Sequence, residues 1–198
     1  MLHALYLLGT ASFAASGVLA AHRARMDPFG GLVLAFAAAV SGGTPRDLVL
    51  DRHPLYWTHD RVLLVLIATV AVLTMVYLRC RELPHRALMA VDAVGLAVVT
   101  VIGARAAMDA QVTPVAVLTG VTGEVVRDVL RGEFPPLLLR EEVYATAALA
   151  GAAAHLGLHR AGAPDTANTA VCAALVFALR LAAVFRDLDL PRLQGAPR

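Results

Sequence analysis

Read in order, apolar runs of about 20 residues alternate with short polar stretches, and a run of that length crosses a hydrocarbon core of about 30 Å. The first predicted span is Leu2–Ala21, ending at His22-Arg23-Ala24-Arg25. It is read as a span and not a cleaved leader, because no basic stretch precedes it and it has a repeat partner further on. The second runs from Pro28 to Leu50, and a loop Asp51–Asp60 follows, with Tyr56 and Trp57 read as interface aromatics. Span three is Val62–Leu78, and a linker Arg79–Arg86 leads into span four, Ala87–Ala107. Span five is Val112–Leu130, span six Glu142–Leu158 and span seven Asn168–Phe185. The pattern predicts an all-α membrane protein of seven helices and a single transmembrane domain over residues 1–198.

Two of these spans are interrupted in the same way. Ser41-Gly42-Gly43-Thr44-Pro45-Arg46-Asp47 puts two glycines and a proline inside span two, which predicts a broken helix. Gly123-Glu124-Val125-Val126-Arg127-Asp128 repeats the glycine-to-Arg-Asp spacing in span five. The agreement extends outward. Pro54 follows Asp47 by seven residues, as Pro135 follows Asp128, and Gly9 and Gly17 are eight apart, as are Gly95 and Gly103. One unit has been duplicated, with repeat one over about residues 2–78, repeat two over about 87–158, and a seventh helix over about 168–185 outside the repeat.

Composition narrows the function classes. Hydrophobic residues make up 59% of the chain and charged residues 16%, against about 45–50% and about 25% in a soluble domain. The spans leave no room for an extramembrane domain in 198 residues, so the function lies within the membrane. A formal net charge of +2 gives no argument for nucleic acid, and all 17 basic residues are arginine. Cys80 and Cys172 imply neither a disulfide framework nor a metal site. No Ser-His-Asp set, phosphate loop or nucleotide fingerprint is present, which argues against an enzyme and against a cofactor.

The arginines orient the chain. With the N-terminus outside, ten arginines fall in inside segments and four (Arg52, Arg61, Arg105 and Arg160) outside, the bias that short loops use to fix topology. Three spans per unit then make the second repeat enter from the opposite side, so the repeats are inverted. Inverted repeats with discontinuous helices are an architecture of membrane transport.

The paired Gly-Gly-x-x-Arg-Asp segments, Asp92-Ala93-Val94-Gly95-Leu96 and Glu142-Val143-Tyr144-Ala145-Thr146-Ala147 resemble the trimeric intracellular cation channel (TRIC) family in its prokaryotic branch. The resemblance covers residues 4 to 185. It implies seven helices, a homotrimer among membrane lipids, and a potassium-permeable pore in each protomer lined by the glycine-kinked second and fifth helices. Some members of the wider family are associated with glycine, which keeps a secondary transporter of a small amino acid as the alternative. Three positions depart from the family pattern: Ser41 and Glu124 stand where glycine is common, and Tyr6 where an aspartate like Asp92 is often seen.

The motif has a physical reading of its own. A broken helix frees carbonyls that hydrocarbon tolerates only if they are buried in protein or line water, and such carbonyls are ligands for a dehydrating monovalent cation. One break alone is an ordinary packing kink. Two at matched positions, each with an intramembrane Arg-Asp, argue for a site. Gly42, Gly43, Pro45 and Gly123 are therefore expected to open the helices near the midplane, with no side chain intruding. Asp47, Asp128 and Glu124 are expected to favour cations, with K+ as the permeant ion. At about 1.5 Å per residue the two motifs sit roughly 20 Å apart in depth, so neither arginine reaches the other repeat's aspartate. Arg46 is level with Tyr6 and Arg127 with Asp92, which makes these the expected partners. Arg46–Asp47 is expected to be a poor pair, since adjacent helical residues do not face each other. Arg46 and Arg127 are the expected gates, Arg127 the better one because Asp92 is ionic.

Weaker features remain. His155 and His159 have the spacing of a metal pair but no further ligand nearby, and are read as snorkelling at the outer end of span six, with no metal assigned. Arg180 is read as reaching the inner interface. Ala147-x-x-x-Gly151 and Ala150-x-x-x-Ala154 present small faces suited to close helix contact, within or between protomers.

The topology is directly testable. Thr58→Cys and Ala161→Cys should be labelled by an impermeant thiol reagent from outside sealed cells, and Gln194→Cys should not. Labelling at position 194 contradicts the inverted repeats.

Overall fold

The computed structural model describes residues 2–80, 85–109, 125–126, 129–130 and 145–186. Every regular element among them is helical: α1 (Leu2–Arg23), α2 (Pro28–Ser41), α3 (Gly43–Val49), α4 (Arg61–Cys80), α5 (His85–Asp109), α6 (Ala145–Arg160) and α7 (Asp165–Arg186). Spans one, three, four and seven are thus single helices, and span two is α2 plus α3. Among the described residues four helices are long and apolar enough to cross a membrane, and the α2–α3 pair, bent by 40°, adds a fifth when counted as one span.

Local chemistry sets the ends. Asp27 caps α2, its carboxylate accepting from Gly30 N at 2.6 Å, and Pro28 occupies the first turn, where its missing N–H costs nothing. Asp60 does the same for α4 through Leu63 N at 3.0 Å. The bend between α2 and α3 has a different cause from the one the glycines predict. Gly42 keeps right-handed helical angles (φ −66°, ψ −40°), so no special glycine conformation breaks the helix. Pro45 cannot donate to the carbonyl of Ser41 four residues back, and its ring crowds that carbonyl. Ser41 Oγ donates to Ala38 O at 3.1 Å and Thr44 Oγ1 to Val40 O at 2.7 Å, back-bonding of a kind that bends helices.

Packing is organised around α1 and α5, the pseudo-equivalent first helices of the two repeats. α1 packs on α2, α4 and α5, while α5 packs on α1, α6 and α7. One core joins α1, α2 and α4 through Phe13, Val18, Ala35, Leu63 and Ile67; a second joins α5, α6 and α7 through Leu96, Val101, Ala147, Cys172 and Val176. Small residues let the helices approach. A Cβ on Gly17 would lie 2.7 Å from both Ala35 Cα and Leu34 O, so α1 and α2 touch backbone to backbone. A Cβ on Gly151 would collide with Val176 and lie 3.4 Å from Cys172 Sγ. The Ala147/Gly151 face of α6 is therefore used inside the protomer, against α7. Val62, Val65 and Leu73 of α4 are exposed, as on a helix bordered by hydrocarbon.

Two sequence expectations are corrected. His155 does not snorkel with His159: it is 1% exposed and faces the bundle, while His159 is exposed. Arg180 is also 1% exposed, turned inward with Nη2 3.8 Å from Met89 Sδ of α5, not reaching for the interface.

Gly17→Ala should therefore destabilise the protein by about 1–3 kcal/mol, the usual range for overpacking. Gly157, whose added Cβ meets nothing within 4 Å, should tolerate alanine without loss. Thermal unfolding in detergent compares the two, and equal melting temperatures contradict the close α1–α2 contact.

Candidate functional site

The α2–α3 bend carries a buried polar cluster. Arg46 and Asp47 lie on α3, a helix of seven residues, and are 5% and 2% exposed. They pair directly: Arg46 Nε and Nη2 donate to Asp47 Oδ1 at 2.8 and 2.6 Å. This corrects the expectation that adjacent residues make a poor pair. In the bundle both charges are out of water, and the long arginine side chain curls back onto its neighbour; the facing rule describes exposed surfaces of long helices.

Arg46 also donates through Nη2 to Tyr6 Oη at 2.8 Å, so the expected partnership across α1 and α3 is present. Its guanidinium carbon lies 5.6 Å from the Tyr6 ring centroid and 5.5 Å from that of Tyr56, within the range in which a cation is attracted to an aromatic face. The two tyrosines meet edge to face at 5.0 Å.

Tyr56 is the residue that sequence reasoning misplaced. It is not an interface aromatic. The turn after α3, with Asp51 at φ 50° and Arg52 N donating to Asp47 O at 2.8 Å, sends the loop back over the bend. Asp47 Oδ2 then accepts from Tyr56 N at 3.1 Å. The Tyr56 hydroxyl donates to Ala39 O at 3.2 Å, and its ring lies in the space that Gly43 leaves: a Cβ on Gly43 would come within 2.9 Å of Tyr56 Cζ and 3.0 Å of Cδ1. The expectation that no side chain intrudes at the glycines is thus corrected. Burial raises the Tyr56 hydroxyl pKa above its ordinary value, so it stays a donor through the neutral range. Trp57 anchors the loop beside it, Nε1 donating to Thr44 Oγ1 at 3.1 Å and its ring packing edge-on to Phe36 at 5.4 Å.

A cavity of about 20 Å³ remains at the bend, lined among others by Tyr6, Thr10, Gly42, Gly43 and Tyr56, with Val99 and Ile102 of α5 opposite. That is room for about one water molecule. Asp92, 1% exposed on α5, accepts from Ser16 Oγ of α1 at 3.0 Å. Ser16 is ten residues past Tyr6, roughly 15 Å along α1 at 1.5 Å per residue. Arg46 and Asp92 therefore meet α1 at different depths. Gly123, Glu124, Arg127 and Asp128 lie outside the described residues, and so does the expected Asp92–Arg127 pair.

Comparison with known proteins agrees with this architecture. A family model described as glycine transporter matches residues 3–79 and 89–160, which run over the two repeats. The UPF0126 inner membrane protein YadS of Escherichia coli (strain K12) is 42% identical over 194 residues, covering 94% of this chain and 93% of that protein. The TRIC orthologue from Rhodobacter sphaeroides superposes with a TM-score of 0.86 at 35% identity, covering 93% of this chain and 98% of that one. A structure from work on conductance through TRIC cation channels gives a TM-score of 0.88 at 28% identity, over 99% of this chain and 98% of that one. The fold is the seven-helix one of these structures, two inverted three-helix repeats followed by one more helix. On its sequence and its structure alike, the chain belongs to the trimeric intracellular cation channel family, and it matches the family model that is described as glycine transporter.

Proposed function

We propose that the protein is a monovalent cation channel of the cell membrane, permeable to potassium, working as a homotrimer with one pore in each protomer. The observation that carries the reading is the α2–α3 bend, where Tyr6, Thr10, Tyr56 and the Arg46 that Asp47 neutralises line a small cavity whose far wall is α5. Such a lining can replace the water around a weakly hydrated cation. Solved relatives are described as TRIC cation channels, one of them as trimeric, and the Escherichia coli relative as an inner membrane protein.

In this reading the pore passes between spans two and five, with spans one and four as walls and the N-terminus outside. Gly42, Gly43 and Pro45 shape one half and Gly123 the other. Asp47, Asp92, Glu124 and Asp128 favour cations. The charge of Arg46 is balanced by Asp47, and Arg127 opposite Asp92 is the gate of the other half. One domain over 1–198, with repeats at about 2–78 and 87–158 and a seventh helix at about 168–185, completes the proposal. The description of the matching family favours one alternative, a carrier for glycine.

Planar-bilayer recording of purified protein tests the channel. Unitary potassium currents are expected, abolished by Gly43→Leu or Gly123→Leu and increased in open probability by Arg127→Gln. Absence of potassium current, together with glycine uptake that Gly123→Leu abolishes, gives the function to the carrier.

A further inference from the structure

We propose that Tyr56 is a tethered plug of the outer half of the pore, its hydroxyl hydrogen occupying a carbonyl that a passing cation uses as a ligand. The inference rests on the permeation reading above and adds the residue that closes it.

Three neighbouring carbonyls at the end of α2 point to this. Ala38 O is taken by Ser41 Oγ and Val40 O by Thr44 Oγ1, both from within the bent segment itself. Ala39 O, between them, is taken by Tyr56 Oη, from a loop nine residues beyond Asp47. The first two hydroxyls belong to the bend and move with it. The third can leave. A carbonyl oxygen with a donor on it offers one lone pair fewer to a cation, so the Tyr56 hydroxyl and a dehydrated cation compete for the same atom.

The ring closes the space as the hydroxyl closes the ligand. Tyr56 lies against Gly43 more closely than any side chain at that position would permit, and the cavity left beside it is about 20 Å³. A single water fits there, and a hydrated cation does not. Gly43 thus makes room for the plug in this closed arrangement and becomes room for the ion once the plug withdraws.

Withdrawal is a small motion. Trp57 holds the loop to Thr44 and Phe36, and the Tyr56 backbone N–H is held by Asp47. Rotation of the Tyr56 side chain alone, with the backbone kept, breaks one neutral hydrogen bond of 3.2 Å, the edge contact with Tyr6 and the contact of its ring with the Arg46 guanidinium. The Arg46–Asp47 pair stays intact throughout, so no charge is left unpaired when the path opens. Arg46 is therefore the fixed frame of this half, and Tyr56 its moving part.

Single-channel recording in symmetric potassium chloride tests the plug. Tyr56→Ala should raise open probability about fivefold, the factor that the typical net worth of one neutral hydrogen bond sets, while gel filtration shows the wild-type assembly. Tyr56→Phe should give a smaller rise, since the ring stays and only the hydroxyl goes. Wild-type open probability in Tyr56→Ala overturns the plug and leaves the permeation reading standing. If Tyr56→Ala does not assemble, Tyr56→Phe decides: a rise supports the plug and an unchanged value overturns it. Absence of potassium current in the wild type and in both variants overturns the permeation reading, and the plug with it.

Discussion

A guanidinium inside a membrane bundle has to be neutralised and hydrogen-bonded where it stands, because an unpaired charge at mid-membrane costs about 2.5–3.5 kcal/mol on insertion scales. Arg46 meets that requirement through Asp47, Tyr6 and two aromatic faces. Much of the surrounding structure follows. α3 is turned so that Arg46 faces α1, Asp47 is left with one oxygen that captures the backbone of Tyr56, and that capture folds the loop over the bend. The loop's return path is thus a consequence of the charge pair.

The bend itself depends on proline and hydroxyls more than on glycine. Pro45 removes a helix bond, and Ser41 and Thr44 bond backward; Gly42 stays helical. What glycine contributes is volume. At Gly17 that volume admits another helix backbone, and at Gly43 it admits an aromatic ring. A helix break in this fold is a place where a side chain from elsewhere can be received, and that is why a loop residue fills the space beside Gly43.

The spans among the described residues and the bend were legible in the sequence because hydropathy runs and proline chemistry are local. The Tyr6–Arg46 contact was legible too, since the depth of a residue follows from counting along its helix. The direction in which a side chain leaves its helix was not. His155 and Arg180 read as snorkelling residues because they sit near span ends, yet both face inward. Which face of α6 or α7 meets the bundle depends on partners such as Gly151 against Val176, which only the assembled structure brings together. Tyr56 was read as interfacial for the same reason: its place is set by Asp47, a contact made across a turn whose geometry the residue types alone leave open.

The central claim is that the α2–α3 bend forms part of a continuous cation path and not the binding site of an alternating carrier. Flux into liposomes containing the purified wild-type protein tests it most directly. The account predicts potassium movement that follows the imposed membrane potential and does not saturate with concentration as a carrier would. Potassium flux at the level of empty liposomes, beside saturable glycine uptake accelerated by glycine on the other side, contradicts it.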